Sequence, residues 1–208
     1  MIGAAALEGW LCLGPDEPKG ETTYVLTEEW LAPADGLPRD SALAELARCY
    51  LTGYGPADVR DFAAWAGLTL SVARKGWPPD GALVTMELEG KPLSMLRGES
   101  QPVRSASARK PVVNLLPAFD TYLLGYADRS QVVALEHQAQ VYHGGQVVPV
   151  VLVDGLAAGV WRTERKGKRI EITARAFNTF EQTVIELIEA EAQDVGRFWG
   201  MPVDVKFA

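Results

Sequence analysis

Three groups of residues in this 208-residue chain have side chains able to do chemistry or to hold an anion. The first is the run His137-Gln138-Ala139-Gln140-Val141-Tyr142-His143. Two glutamines around one small residue could position a water at a sugar carbon, because each amide offers both a donor and an acceptor. Glu136, His137 and His143 could alternatively ligate a metal, although a six-residue spacing is weak support for one. The second group is basic: Arg74 and Lys75, Lys91, Arg97, then Arg104, Arg109 and Lys110, and finally Arg162, Arg165, Lys166, Lys168 and Arg169. Guanidinium forks onto paired acceptors and ammonium acts as a point charge, so these residues suit phosphate or guanine edges. The plain reading of any one of them is solvated surface charge, and a Lys/Arg-rich hairpin ordinarily guards a sheet edge. The third group is Asp120, Tyr126, Asp128 and Arg129, within the very apolar stretch LLPAFDTYLLGYADR (115–129). A pair of Asp128 or Asp120 with Arg129 would fix a junction. That reading is preferred to a ligand-facing cluster, since partly buried carboxylate–arginine pairs usually serve geometry.

Composition narrows the classes. Hydrophobic residues make up 48% and charged residues 23% of the chain, ordinary for a folded protein. No apolar stretch approaches the ~20 residues of a membrane span. The first residues lack the basic start and apolar core of a signal peptide, so cytoplasm is the expected location. Cys12 and Cys49 lie far apart, form no metal-type pair, and are expected to be buried thiols. The net charge of −7 argues against a surface wholly devoted to nucleic acid. The charge is uneven, however. The acid excess sits in residues 1–70, while residues 71–130 and the segment 162–175 are locally basic. Neither a GxSxG elbow, a phosphate-binding glycine loop nor a paired-cysteine zinc signature occurs.

The elements that must position these groups follow from the pattern. Residues 10–13 and 23–26 read as two strands around a turn-rich loop, a hairpin with little to pack against. It has the look of a unit entered midway, the wing of a domain whose helices are missing. Leu43, Leu46, Ala47, Tyr50 and Leu51 make one helical stripe. Residues 55–76 give two short helices around Gly67, the first started at Asp58 or the preceding turn and the second capped by Ser71. Ala63 lies four residues before Gly67, the spacing of a helix-turn-helix. Alternation in Val84 to Leu88 and the return Leu93 to Leu96 add a β-ribbon. Three helices and a hairpin are the winged-helix order. After a connector, 97–110, short strands at 112–114, 131–135, 147–153, 158–161 and 170–174 predict a small antiparallel β-barrel. Asp154-Gly155 and Lys166-Gly167-Lys168 are its turns. A long helix follows, with a capping box at Thr179/Gln182 or Asn178/Glu181, and then a last strand at 203–207.

Through LLPAFDTYLLGYADR, VVLVDGLAAGVWR and YLTGYGPADVRDFAAWAGL, the chain resembles the winged-helix DNA-binding family that includes the AlkZ/YcaQ-like DNA glycosylases. The resemblance covers most of residues 22–207. It implies tandem winged helices followed by a β-barrel, and removal of alkylated bases, including from interstrand crosslinks. It also implies that the glutamine-containing catalytic motif lies in winged-helix units preceding these residues. The Gln138/Gln140 pair is therefore read as a coincidence, and no position in this chain inherits a catalytic role. Neither a metal nor another cofactor is expected.

The expected class is α+β: a remnant hairpin (1–36), a winged helix with its connector (37–110), and a β-barrel with a C-terminal helix (111–208). The expected partner is double-stranded DNA, and the expected role is that of the C-terminal portion of a repair glycosylase, inert alone. The competing readings are a regulatory winged-helix module without catalysis, and a protein-binding scaffold. In all of these the apolar run at 115–124, with Leu115, Leu116, Phe119, Leu123 and Leu124 buried, is expected to bridge the helical part and the strands.

Overall fold

The computed structural model describes residues 2–15, 17, 21–32, 36–88, 90–99 and 111–208. Arg104, Arg109 and Lys110 of the connector lie outside the described residues. The chain divides into two compact units, residues 1–39 and 40–208.

The first unit contains α1 (Ile2–Leu7), β1 (Leu11–Leu13), β2 (Tyr24–Leu26) and α2 (Thr27–Trp30). β1 and β2 pair antiparallel with Cys12 opposite Val25. The Thr23 hydroxyl donates to the Pro15 carbonyl, which closes the loop end of the pair. No described side chain of this unit is buried, and Leu7 and Trp10 are 91% and 68% exposed.

The second unit begins with three helices, α3 (Arg39–Tyr54), α4 (Val59–Ala66) and α5 (Leu70–Gly76). α4 starts where the residues require it. The Asp58 carboxylate accepts from the Arg60 and Asp61 amides while the Asp61 carboxylate accepts from the Asp58 amide, a reciprocal capping box. α4 stops at Gly67, whose φ of +65° gives the left-handed cap. α5 is capped by Thr69, which accepts from the Val72 amide. The expected cap, Ser71, already lies within the first turn, because Thr69 is the last extended residue. Ala47, Tyr50, Leu51, Phe62 and Ala73 bury between the helices with Leu83. β3 (Leu83–Leu88) and β4 (Lys91–Leu96) then pair antiparallel, with Leu88 opposite Lys91. Mutual amide–carbonyl bonds between Ala57 and Ser94 (2.9 and 2.8 Å) pin this hairpin beside the start of α4.

The remaining elements are β5 (Val113–Leu116), α6 (Gln138–Val141), β6 (Tyr142–His143), β7 (Gln146–Val147), β8 (Val150–Val153), β9 (Leu156–Lys166), β10 (Arg169–Ala176), α7 (Gln182–Trp199) and β11 (Val203–Phe207). Five strands form one sheet in the order β11-β10-β9-β8-β5. β10 and β11 run parallel, the other pairs antiparallel. A parallel pair needs a crossover, and α7 supplies it.

The expected barrel does not form. β5 and β11 are the two ends of an open sheet. The physical reason is α7: its Val184, Ile188 and Ala192 pack on Val151, Ala174 and Ile172, so a helix rather than the far strand covers that apolar face. The opposite face of β8 is covered by residues from the 117–149 segment, with Val150 and Leu152 packed on Leu123, Val133 and Val141. β8 is thus apolar on both sides, which explains its unbroken VVLV.

Other expectations are corrected too. Residues 131–135 are a turn, not a strand. The Val132 and Val133 amides both bond the Arg129 carbonyl, and both consecutive side chains are buried, which strand alternation on one face would forbid. Phe119 is 47% exposed and has φ +58°, so it is not part of the buried run. Cys49 is exposed on α3, where its thiol donates to Glu45. α7 begins at Gln182 after Glu181, which makes no side-chain cap bond, so the capping box is not formed. Among the described residues no helix is long and apolar enough to cross a membrane.

Candidate functional site

The stretch 115–129 ties the helices to the sheet residue by residue. Leu115 and Leu116 belong to β5, and the Trp161 indole donates to the Leu116 carbonyl at 2.7 Å. Asp120 caps the following turn by accepting from the Tyr122 amide. The Tyr50 hydroxyl of α3 donates to the Gly125 carbonyl at 2.7 Å, and the Tyr126 hydroxyl donates to the Tyr54 carbonyl at 2.9 Å. Burial raises both phenols above their ordinary value of 10.0; that of Tyr126, with Tyr122 and Asp61 nearby, is pushed up to about 12. Both hydroxyls therefore stay protonated as donors at neutral pH. Gly125 lies against the Tyr54 ring so closely that a Cβ would meet it at 2.5 Å. The Asp61 carboxylate, besides capping α4, accepts from the Ala127 amide at 3.0 Å. GYADR is thus a strap fastened at three successive residues, Gly125, Tyr126 and Ala127.

The expected pairing of Asp128 or Asp120 with Arg129 is replaced. Asp128 pairs with Lys91 at the start of β4 and accepts from the Ser130 amide and hydroxyl. Arg129 lies over the Tyr142 ring at 4.5 Å, a cation–π contact. The Lys91 bond, with those from Ser130, holds the Asp128 carboxyl at about 2, below its usual 3.8. A depressed carboxylate contributes stability above its unfolded pKa and loses it as pH falls through the folded one. We predict that Asp128→Asn destabilises by about 1 kcal/mol or less near neutral pH, since the pair is half exposed. The deficit should shrink as pH falls from about 4 to about 2, read by urea unfolding at several pH values.

The basic groups separate into occupied and available ones. Arg97 donates to the Gly81 and Leu83 carbonyls, closing the base of the β3–β4 hairpin. Arg165 reaches back to the Gly167 carbonyl at its own turn. Lys166 pairs with Glu171 and Glu164, and Arg169 with Asp204. Lys166 first and Lys206 second hold the Glu171 carboxyl at about 2. The side chains of Arg74, Lys75, Arg162 and Lys168 make no ion pair or hydrogen bond among the described residues. Arg74 and Lys75 project from the last turn of α5, both exposed.

The glutamine and histidine run is largely spent on structure. Gln138 donates to the Val133 carbonyl, while Gln140 contacts the His137 ring and accepts from Arg175. His137 stacks on Phe177 at 4.3 Å. The two glutamines engage different neighbours from the short helix α6, so they form no pair around a common water. No group of three His, Cys, Asp or Glu side chains converges among the described residues.

Sequence reasoning missed Arg175, Thr173 and His143 as neighbours of Arg162, all lining one cavity of about 500 Å³. The signal was present. A tight turn at Gly167-Lys168 sets Arg162 opposite Thr173 and Val160 opposite Arg175.

A family profile described as DNA glycosylase AlkZ-like matches residues 1–198. The chain belongs to this family. An interstrand DNA cross-link repair glycosylase of Streptomyces sahachiroi is 30% identical over 208 residues, covering 97% of this chain and 55% of the relative. The solved structure of Streptomyces sahachiroi DNA glycosylase AlkZ superposes with a TM-score of 0.72 at 29% identity, over 94% of this chain and 54% of that one. The chain therefore spans about half the length of the AlkZ-like relatives it matches. The strap and the five-stranded sheet lie largely within the matched region.

Proposed function

We propose that this chain holds double-stranded DNA for a glycosylase that hydrolyses the N-glycosidic bond of alkylated or crosslinked bases. In this reading residues 37–110 are a winged helix: α5 enters the major groove and the β3–β4 hairpin follows the backbone. The observation that carries it is the pair Arg74 and Lys75, both exposed at the end of α5 and both without an ion-pair partner among the described residues. The relative named as an interstrand DNA cross-link repair glycosylase supports the choice of substrate. The tip residue Lys168 offers a further phosphate contact.

Base removal requires the target nucleotide to leave the stack, because the sugar carbon is shielded inside the duplex. These residues supply the grip on the flanking duplex, and none of them is assigned to the hydrolysis. The test uses the 208-residue chain and a labelled duplex bearing one N-alkylated purine. The expected result is duplex retention that weakens steeply with added salt, as phosphate contact requires, without release of free base. Failure to retain duplex even at low salt would favour a protein-binding scaffold. Release of base would place chemistry on these residues and overturn the assignment of grip alone.

A further inference from the structure

The outer face of β9, β10 and β11 has a charge pattern that the duplex reading leaves unused. Three carboxylates stand on it, Glu164, Glu171 and Asp204. Glu164 and Glu171 pair with Lys166, and Asp204 with Arg169, all toward the Gly167 end, while Glu171 also takes Lys206, which stands opposite Thr173. At the opposite end no carboxylate is paired with Arg162 or Arg175 among the described residues. Arg162 has no partner there, and Arg175 donates only to the neutral Gln140 amide oxygen at 3.1 Å. Antiparallel register puts Arg162 beside Thr173 and Arg175 beside Val160. The two arginines are therefore diagonal neighbours on one face, a separation of about 7–8 Å that long side chains can bridge.

These two cations overhang the cavity of about 500 Å³, into which Thr173, Gln140 and His143 also open. It lies where the 117–149 segment stops covering the sheet, so one side is protein and the other is open. Val148, Pro149 and Val160 give it an apolar wall. Two guanidiniums suit a phosphate, the hydroxyl and amide suit ring or sugar polar atoms, and the apolar wall suits the flat side of a base.

We propose that this cavity binds a nucleoside phosphate, either a free nucleotide or the phosphorylated end of a single strand. Arg162 and Arg175 clasp the phosphate while Val148 and Pro149 take the base. The proposal is independent of α5 and of duplex binding, so either can fail alone.

The experiment titrates the 208-residue chain by calorimetry with four probes: deoxyadenosine 5′-monophosphate, deoxyadenosine, inorganic phosphate and a 5′-phosphorylated tetranucleotide. R162Q, R175Q and Q140A are compared with the parent, each checked for unchanged thermal unfolding. The expected result is that the monophosphate binds at least tenfold tighter than deoxyadenosine and than inorganic phosphate. R162Q and R175Q should each lose at least tenfold, and Q140A, which keeps both charges, should lose less. A tetranucleotide that binds more tightly than the monophosphate assigns the site to strand ends; the reverse order assigns it to free nucleotide. Equal affinity for nucleotide and inorganic phosphate, equal affinity in parent and arginine variants, or no binding of the monophosphate overturns it.

Discussion

Tyr50→Ala is expected to lower stability by about 4 kcal/mol, more than any other single truncation in the helical core. Tyr50 is 1% exposed and sits where Phe62, Trp65 and Tyr54 meet, with ring centroids 5.5, 5.2 and 5.1 Å away. Truncation empties the centre of the helical core and removes one contact from each of those three rings. It also removes the only side-chain hydroxyl found on the Gly125 carbonyl among the described residues. Tyr50→Phe separates the two contributions. It keeps the packing and loses one hydrogen bond, so a loss of about 1 kcal/mol is expected. Urea unfolding of both variants measures the difference. Near-equal losses would mean that the hydroxyl, rather than the ring, is what holds the helices to the strap.

Asp61→Ala is expected to cost about 3 kcal/mol. This carboxylate is 9% exposed and serves two amides in different parts of the unit. One is Asp58, at the start of its own helix; the other is Ala127, on the strap. Hydrogen bonds to a charged group are worth about 1.5–3 kcal/mol each, and an amide left buried and unmatched adds a penalty. Asp61→Asn, which retains one acceptor oxygen, should lose about half as much by the same count of hydrogen bonds. If alanine and asparagine are both neutral in urea unfolding, the strap is held by its aromatic contacts alone.

These two residues show which parts of the molecule the sequence exposes. Asp58, Asp61 and Gly67 are local signals, and the helix they bound lies where they place it. The β3–β4 hairpin follows from alternation and Gly90, again local. The barrel expectation failed because alternation records which strands have an apolar face, not what covers it. Only the packing of α7 on Val151 and Ile172 decides that the sheet stays open. Partner choice was equally illegible. Nothing near Lys91 in sequence announces Asp128, and nothing near Arg169 announces Asp204, since each partner comes from more than thirty residues away. Lys166 meets Glu164 and Glu171 at its own turn and Arg97 meets the Gly81 and Leu83 carbonyls, whereas Arg74 and Lys75 have no ion-pair partner among the described residues.

Whether α5 meets the duplex is tested most directly by the salt dependence of affinity. Binding of one labelled duplex is measured across a range of salt concentrations for the 208-residue chain and for R74Q/K75Q. If both side chains neutralise phosphates, the slope of log affinity against log salt becomes shallower by about 2 in the double variant. Identical slopes and affinities in the two proteins would contradict the account, and would move the DNA contact to some other face.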